Sequence, residues 1–251
     1  MIKLKRGSLS MTLRSYSMRP SMMIIHVAIA ITVLLLWTYK ECNSFKHGEI
    51  NTGSDPTMGT LESDEMTTLP GWKGPLPSKW YAGYVDAGSD VQYGHKYDMY
   101  MHYIYVESER SPENDPLIIW TNGGPGGASY FGLFIELGPL FLSAQSFMTD
   151  DYEASGIPTL FRREYSWSSL ANILILNGPP PVGYSYCDPI GPAGDGFSCG
   201  DWDDERTAYH NAIVVENFIK YKLPRYNGNP KDVYIIGESY AGVYGMTFNV
   251  T

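Results

Sequence analysis

The chain has 251 residues, enough for one domain with a substantial core, and it carries a formal net charge of −9 at pH 7. The acidity lies in the body, because Lys3, Lys5, Arg6, Arg14 and Arg19 all precede the first acid, Glu41. A body this acidic repels phosphate backbones, so nucleic acid is excluded as an expected partner.

Residues 1–21 form a basic N-terminal segment, and residues 22–39 are apolar from Met22 through Trp37. A membrane span needs roughly 20 apolar residues, so this run is borderline. A basic leader before an apolar run is the pattern of a secretory signal, and no small-x-small cleavage site follows Trp37. A cleaved signal and an uncleaved signal anchor both fit, and both put the body in the lumen and the N-terminus in the cytosol. A buried helix is the competing reading, but a basic leader is an odd neighbour for one. Residues 40–68, with Gly53-Ser54-Asp55-Pro56 and several threonines, read as a linker. Cys42 beside the apolar run is either a lipidation site or an unpaired residue in a tail.

The folded part, residues 69–251, is expected to begin near Leu69-Pro70-Gly71-Trp72. Tyr97 to Glu107 is rich in aromatic and β-branched residues and predicts a strand. Pro116 to Trp120, Asn172 to Leu176 and Asp232 to Ile236 are short apolar runs without alternation, which suits strands buried on both faces of a parallel sheet. Cys187 and Cys199 are close enough in sequence to close a short loop, and in a secretory compartment that bridge is expected. Asp203 to Tyr221 predicts a helix, with Ala208, Ala212, Val215 and Ile219 on one stripe and acids in the first turn. A helix followed by the Val233 strand gives the order of an α/β fold.

Two segments carry chemistry. Ile235-Ile236-Gly237-Glu238-Ser239-Tyr240-Ala241-Gly242 is a buried strand running into a sharp turn with Ser239 at its apex, the context of a nucleophile elbow. Small residues must flank such a serine because strand and helix approach closely, and Gly237, Ala241 and Gly242 meet that demand. The competing reading is an ordinary strand-turn-helix with an idle serine. The second segment, Trp120-Thr121-Asn122-Gly123-Gly124-Pro125-Gly126-Gly127, follows a strand, and its glycines let backbone N–H groups crowd a ligand. A plain turn or a phosphate cradle competes, but no Gly-Lys-Ser/Thr follows. No metal-ligand set and no cofactor motif is read anywhere in the chain.

Asn122-Gly-Gly-Pro-Gly, Phe131 to Pro139 and Gly237 to Gly242 together resemble the serine carboxypeptidase family, and Tyr165-Ser166-Trp167 with Val182-Gly183-Tyr184-Ser185-Tyr186 adds to the likeness. The resemblance runs from about Leu69 to Tyr244. It implies an α/β-hydrolase fold, here incomplete, and removal of C-terminal residues from peptides and proteins in an acidic compartment. The implied location is a vacuole- or lysosome-like lumen, the exterior, or a membrane anchor with a lumenal body. By resemblance Ser239 is the nucleophile, and Gly124 and Tyr240 donate N–H groups to the oxyanion. Trp120, Asn122, Glu136 and Glu238 hold the substrate's terminal carboxylate. A carboxylate facing Glu238 is repelled unless a proton is present, and two neighbouring acids raise one pKa, so Glu136 and Glu238 are expected to share a proton. For Glu136 the bland alternative is a charge on an exposed helix face.

The sequence departs from the family in places. Gly127 stands where the family often has Cys, and Asn177-Gly178-Pro179-Pro180-Pro181 replaces the usual Asp-Ser/Gln-Pro-Ala/Val-Gly. The family's catalytic Asp and His lie beyond the elbow and find no match before Thr251, so the chain is expected to be an inactive fragment by itself. His102 and His210 match no catalytic position and read as surface or packing residues. The terminal Asn249-Val250-Thr251 is formally a glycosylation sequon. Besides the carboxypeptidase, two rivals are an acyltransferase on the same scaffold, where an alcohol replaces water in deacylation, and a non-catalytic truncated product.

Overall fold

The computed structural model describes residues 59–191, 198–226 and 232–246. The basic leader, the apolar run, Cys42, most of the linker and the terminal sequon lie outside the described residues. Among the described residues no helix is long and apolar enough to cross a membrane.

Strands β2 (Trp80–Ser89) and β3 (Asp98–Val106) form a long antiparallel hairpin in which Trp80 faces Val106 and Tyr84 faces His102. A short edge strand, β1 (Glu65–Met66), pairs with β2. It falls inside the stretch read as linker, and Leu61 just before it is buried, so the fold starts earlier than Leu69. β7 (Asn172–Leu176) lies antiparallel to β3 and parallel to β4 (Leu117–Thr121), and β9 (Val233–Gly237) lies parallel to β4 on the other side. The resulting order is β1-β2-β3-β7-β4-β9, with β8 (Tyr186–Asp188) pairing the start of β3. β5 (Leu140–Phe141) and β6 (Phe161–Arg162) make a separate two-stranded sheet.

The pleat sends successive side chains to opposite faces, and both faces are covered. Tyr103, Tyr105, Leu117, Ile119, Leu174 and Leu176 pack on one side with Val214 and Phe218. Ile104, Val106, Trp120, Ile173 and Ile175 pack on the other with Leu133 and Phe134. This two-sided burial is why the runs in β4 and β7 read as continuous apolar segments. Each fully buried aliphatic side chain contributes about 1.5–3 kcal/mol to folding.

The first face is covered by α2 (Asp204–Asn217), following the short α1 (Asp150–Ser155) in chain order. Asp203 caps α2 by accepting from the Arg206 N–H, and Asp204 and Glu205 sit where the helix dipole favours acids. The expected helix through Tyr221 ends sooner: the chain widens into a π-helical turn, Phe218–Lys222. Its buried face also differs from the apolar stripe, because Arg206, His210 and Asn211 are buried with Ala208 and Val214 while Ala212, Val215 and Ile219 are only half-buried.

That polar burial is compensated. Arg206, 2% exposed, donates Nε to Asp90 Oδ1 at 3.0 Å, and Nη2 to Asp90 Oδ2 at 2.6 Å and to the Cys199 carbonyl at 2.7 Å. Its guanidinium also lies 3.8 Å from the Trp202 ring centroid. His210 places Nε2 2.9 Å from Asp90 Oδ1 and Nδ1 2.6 Å from the Ala87 carbonyl. Cys199 is disulfide-bonded to Cys187 in β8, so the cluster ties the hairpin turn, the disulfide loop and α2 together. Asp90→Ala strands a buried guanidinium, and breaking such a pair costs about 3–5 kcal/mol. A chemical denaturation curve is expected to show that loss, whereas a change below about 1 kcal/mol contradicts the role given to Asp90.

Candidate active site

Thr121 pairs with Gly237 at the ends of the parallel neighbours β4 and β9, so the loops that follow leave the sheet side by side. Loops at the carboxyl edge of a parallel sheet are where α/β proteins place ligands. After β4 comes the Gly-rich loop, and after β9 comes the turn into α3 (Ala241–Met246).

Ser239 sits at the apex of that turn with φ +61°, and it is the sole non-glycine residue at positive φ among the described residues. A left-handed L-residue costs about 1–2 kcal/mol, a strain that persists only where the surroundings hold it. The Ala241 N–H donates to Glu238 O at 3.1 Å and the Gly242 N–H to Ser239 O at 3.0 Å, winding the chain into α3 directly. Ser239 is exposed.

The two loops touch through glycine. A Cβ on Gly123 would lie 2.4 Å from the Tyr240 nitrogen, and one on Gly237 would lie 2.6 Å from Thr121 O and 2.5 Å from Ala241 Cβ. Neither position accepts a side chain without moving backbone. Gly124 follows with φ +119°, and the Gly127 N–H closes the loop onto Gly123 O at 2.8 Å. Gly124 and Tyr240 thus stand on opposite sides of the Gly123 contact. The Tyr240 hydroxyl donates to Asp204 at the start of α2, 3.0 Å away.

Asn122 organises the remaining predicted residues. Its Oδ1 accepts from Trp120 Nε1 at 2.9 Å and from the Gly132 N–H at 3.0 Å. Both bonds fix the amide orientation, so Nδ2 faces Glu238 Oε2 at 3.4 Å. Asn122 also lies near enough to Glu136 to favour its charged form. Glu136 comes from a π-helical turn, Gly132–Leu137, and is half-buried rather than set on an exposed helix face. Burial, and then the nearby Glu238 charge, raise its pKa above the usual carboxylate value, against Asn122, which lowers it. The Trp120 ring meets Trp167 edge to face at 5.7 Å between centroids.

Trp120, Asn122, Glu136 and Glu238 therefore form one cluster beside Ser239 and Tyr240. Cys187 and Cys199 are elsewhere, at β8 and the Arg206 cluster. The buried imidazoles are committed away from Ser239: His210 to Asp90, and His102 to Tyr130, whose hydroxyl lies 2.6 Å from Nδ1. Burial pushes the His102 pKa down to about 3, so this ring is neutral. Both histidines are packing residues and neither is on the surface. Sequence reading gave no role to Ser129, Asp204 or Gly132, which contact the site residues, or to Asn177, which bonds Ser129; the polar residues flanking the Gly-rich loop were the available signal.

The serine carboxypeptidase family pattern matches residues 70–250. Serine carboxypeptidase ctsa-3.1 of Caenorhabditis elegans is 37% identical over 183 residues, covering 73% of this chain and 28% of that protein. Serine carboxypeptidase 1 of Hordeum vulgare is 37% identical over 189 residues, covering 74% of this chain and 33% of that protein. The crystal structure of Kex1(delta)p, a prohormone-processing carboxypeptidase from Saccharomyces cerevisiae, superposes with a TM-score of 0.56 at 26% identity, covering 76% of this chain and 38% of that one. The chain spans about a third of the length of these curated relatives. The described residues form part of an α/β-hydrolase fold, and the chain belongs to the serine carboxypeptidase family.

Proposed function

We propose that the full-length protein is a serine-type carboxypeptidase that releases C-terminal residues from peptides, with Ser239 as nucleophile. The observation that carries this reading is the left-handed Ser239 beside an Asn122-centred pair of carboxyl groups. In the proposed reaction, Ser239 Oγ adds to the scissile carbonyl as its proton passes to a general base. His102 and His210 are committed elsewhere, and the proposed base comes from outside the described residues. The oxyanion forms between the Gly124 and Tyr240 N–H groups, whose spacing is set by the Gly123 contact. The tetrahedral adduct collapses with cleavage of the scissile C–N bond, the terminal residue leaves with its amine protonated by the same base, and water then hydrolyses the remaining acyl-enzyme to regenerate Ser239.

Glu136, Asn122, Trp120 and Glu238 would bind the substrate's terminal carboxylate. A third carboxylate is tolerated there only while a proton is present, and Glu136 is the group whose surroundings favour keeping one. Its folded pKa is raised, so its proton is held below that value and lost as pH rises through it. The same sign applies to folding: what the protonated form contributes is present below the unfolded value and fades as pH climbs through the folded one. We further propose a secretory-pathway location, supported by the Cys187–Cys199 disulfide and by the basic and apolar N-terminal segments.

For the full-length protein, kcat/KM on free-acid peptides is expected to fall as pH rises through the raised Glu136 pKa, while amide- or ester-blocked substrates keep their activity to higher pH. Glu136→Gln is expected to flatten that difference, because an amide donates at any pH. Alkaline limbs that coincide for both substrate classes contradict the clamp. Gly123→Ala pushes the oxyanion loop off Tyr240 and is expected to lower kcat on both classes by roughly 100- to 1,000-fold; a loss under about tenfold shows that the contact does not set the donors.

A further inference from the structure

We propose that Asn177 is a positioning residue for the carboxylate clamp, acting through Ser129; the proposal rests on the carboxypeptidase reading above. Asn177 closes β7 and is fully buried. Its Oδ1 accepts from the Ser129 N–H at 3.0 Å, and the Ser129 Oγ in turn accepts from the Asn122 N–H at 3.0 Å. The Gly-rich loop leaves β4 at Asn122 and returns at Ser129, so this pair of bonds closes the loop at its base and fastens it to the neighbouring strand. Without it, the Asn122 N–H loses its partner while the Asn122 side chain has to face the carboxyl groups.

The rest of Asn177 is anchored separately. Its N–H donates to His102 O at 3.1 Å, and its carbonyl accepts from Ser185 Oγ. Ser185 Oγ also accepts from the His102 N–H at 2.8 Å. The Cβ position of Gly183 lies 3.1 Å from Asn177 Cβ, which packs the amide from a further side. Among the described residues Asn177 Nδ2 is buried with no partner. A buried amide normally spends both its donor and its acceptor, and leaving the donor unused is a cost. The oxygen is therefore the atom this position supplies to the site.

The test uses the full-length protein with a free-acid peptide and the same peptide blocked as an amide, both at acidic pH. Asn177→Leu removes the acceptor. It is expected to raise KM for the free-acid peptide about tenfold, the size of one lost hydrogen bond, and to leave kcat on the blocked peptide within about twofold. Ser129→Ala removes the next link and is expected to give the same split. The two changes together are expected to do no more than either alone, since they break one chain of bonds. Asn177→Asp is expected to restore the wild-type KM in acid. An unchanged free-acid KM in Asn177→Leu or Ser129→Ala, or equal losses on both substrates, overturns the proposal. If Asn177→Leu does not fold, Ser129→Ala and Asn177→Asp still decide it. A wild-type enzyme that treats the two peptides alike rejects the clamp itself, whereas a wild-type difference that Asn177→Leu leaves untouched rejects Asn177 alone.

Discussion

The parallel pairing of β4 with β9 sets Thr121 beside Gly237, and just past that point the two backbones approach so closely that neither Gly123 nor Gly237 has room for a methyl group. The site depends on this approach. It puts the Gly124 loop against Tyr240, it brings Asn122 within reach of Glu238, and it leaves Ser239 at the apex of the only route from strand to helix. The left-handed conformation of Ser239 is a local cost carried by the surrounding sheet, whose central strands are buried on both faces.

Electrostatics at the site follow from the same geometry. Asn122 can serve both acids only because two donors, Trp120 Nε1 and the Gly132 N–H, occupy its oxygen and turn its amide outward. The half-burial of Glu136 then raises its pKa, with the Glu238 charge adding to the effect. On the opposite face of the sheet the Asp90–Arg206–His210 cluster plays a different part. It joins the β2–β3 turn, the disulfide loop and α2 with bonds that take no part in the proposed chemistry.

The elements legible in the sequence were those set by short-range pattern. The runs in β4 and β7 are apolar without alternation because both faces are covered, whereas β9, expected to be buried on both faces, is only half-buried with Tyr234 exposed; the elbow and Gly-rich loop are specified by small residues at fixed spacing. What was not legible depends on long-range pairing. The short β1 has too few residues to show a period, and its place beside β2 comes from pairing Glu65 with Tyr81. The buried face of α2 broke the apolar stripe because Arg206 and His210 find Asp90, far away in sequence, as a partner. The choice of Glu136 as the acid with the raised pKa needed its burial in a π-helical turn. The relay from Asn177 to Asn122 needed the loop to close on Ser129.

The central claim is that Ser239 is an activated nucleophile at an elbow. Its most direct measurement is covalent labelling of the full-length protein with a fluorophosphonate, followed by mass mapping of the adduct. The account predicts one adduct, on the peptide carrying Ser239, and no labelling of Ser239→Ala. An adduct on another residue, or labelling that survives Ser239→Ala, contradicts it.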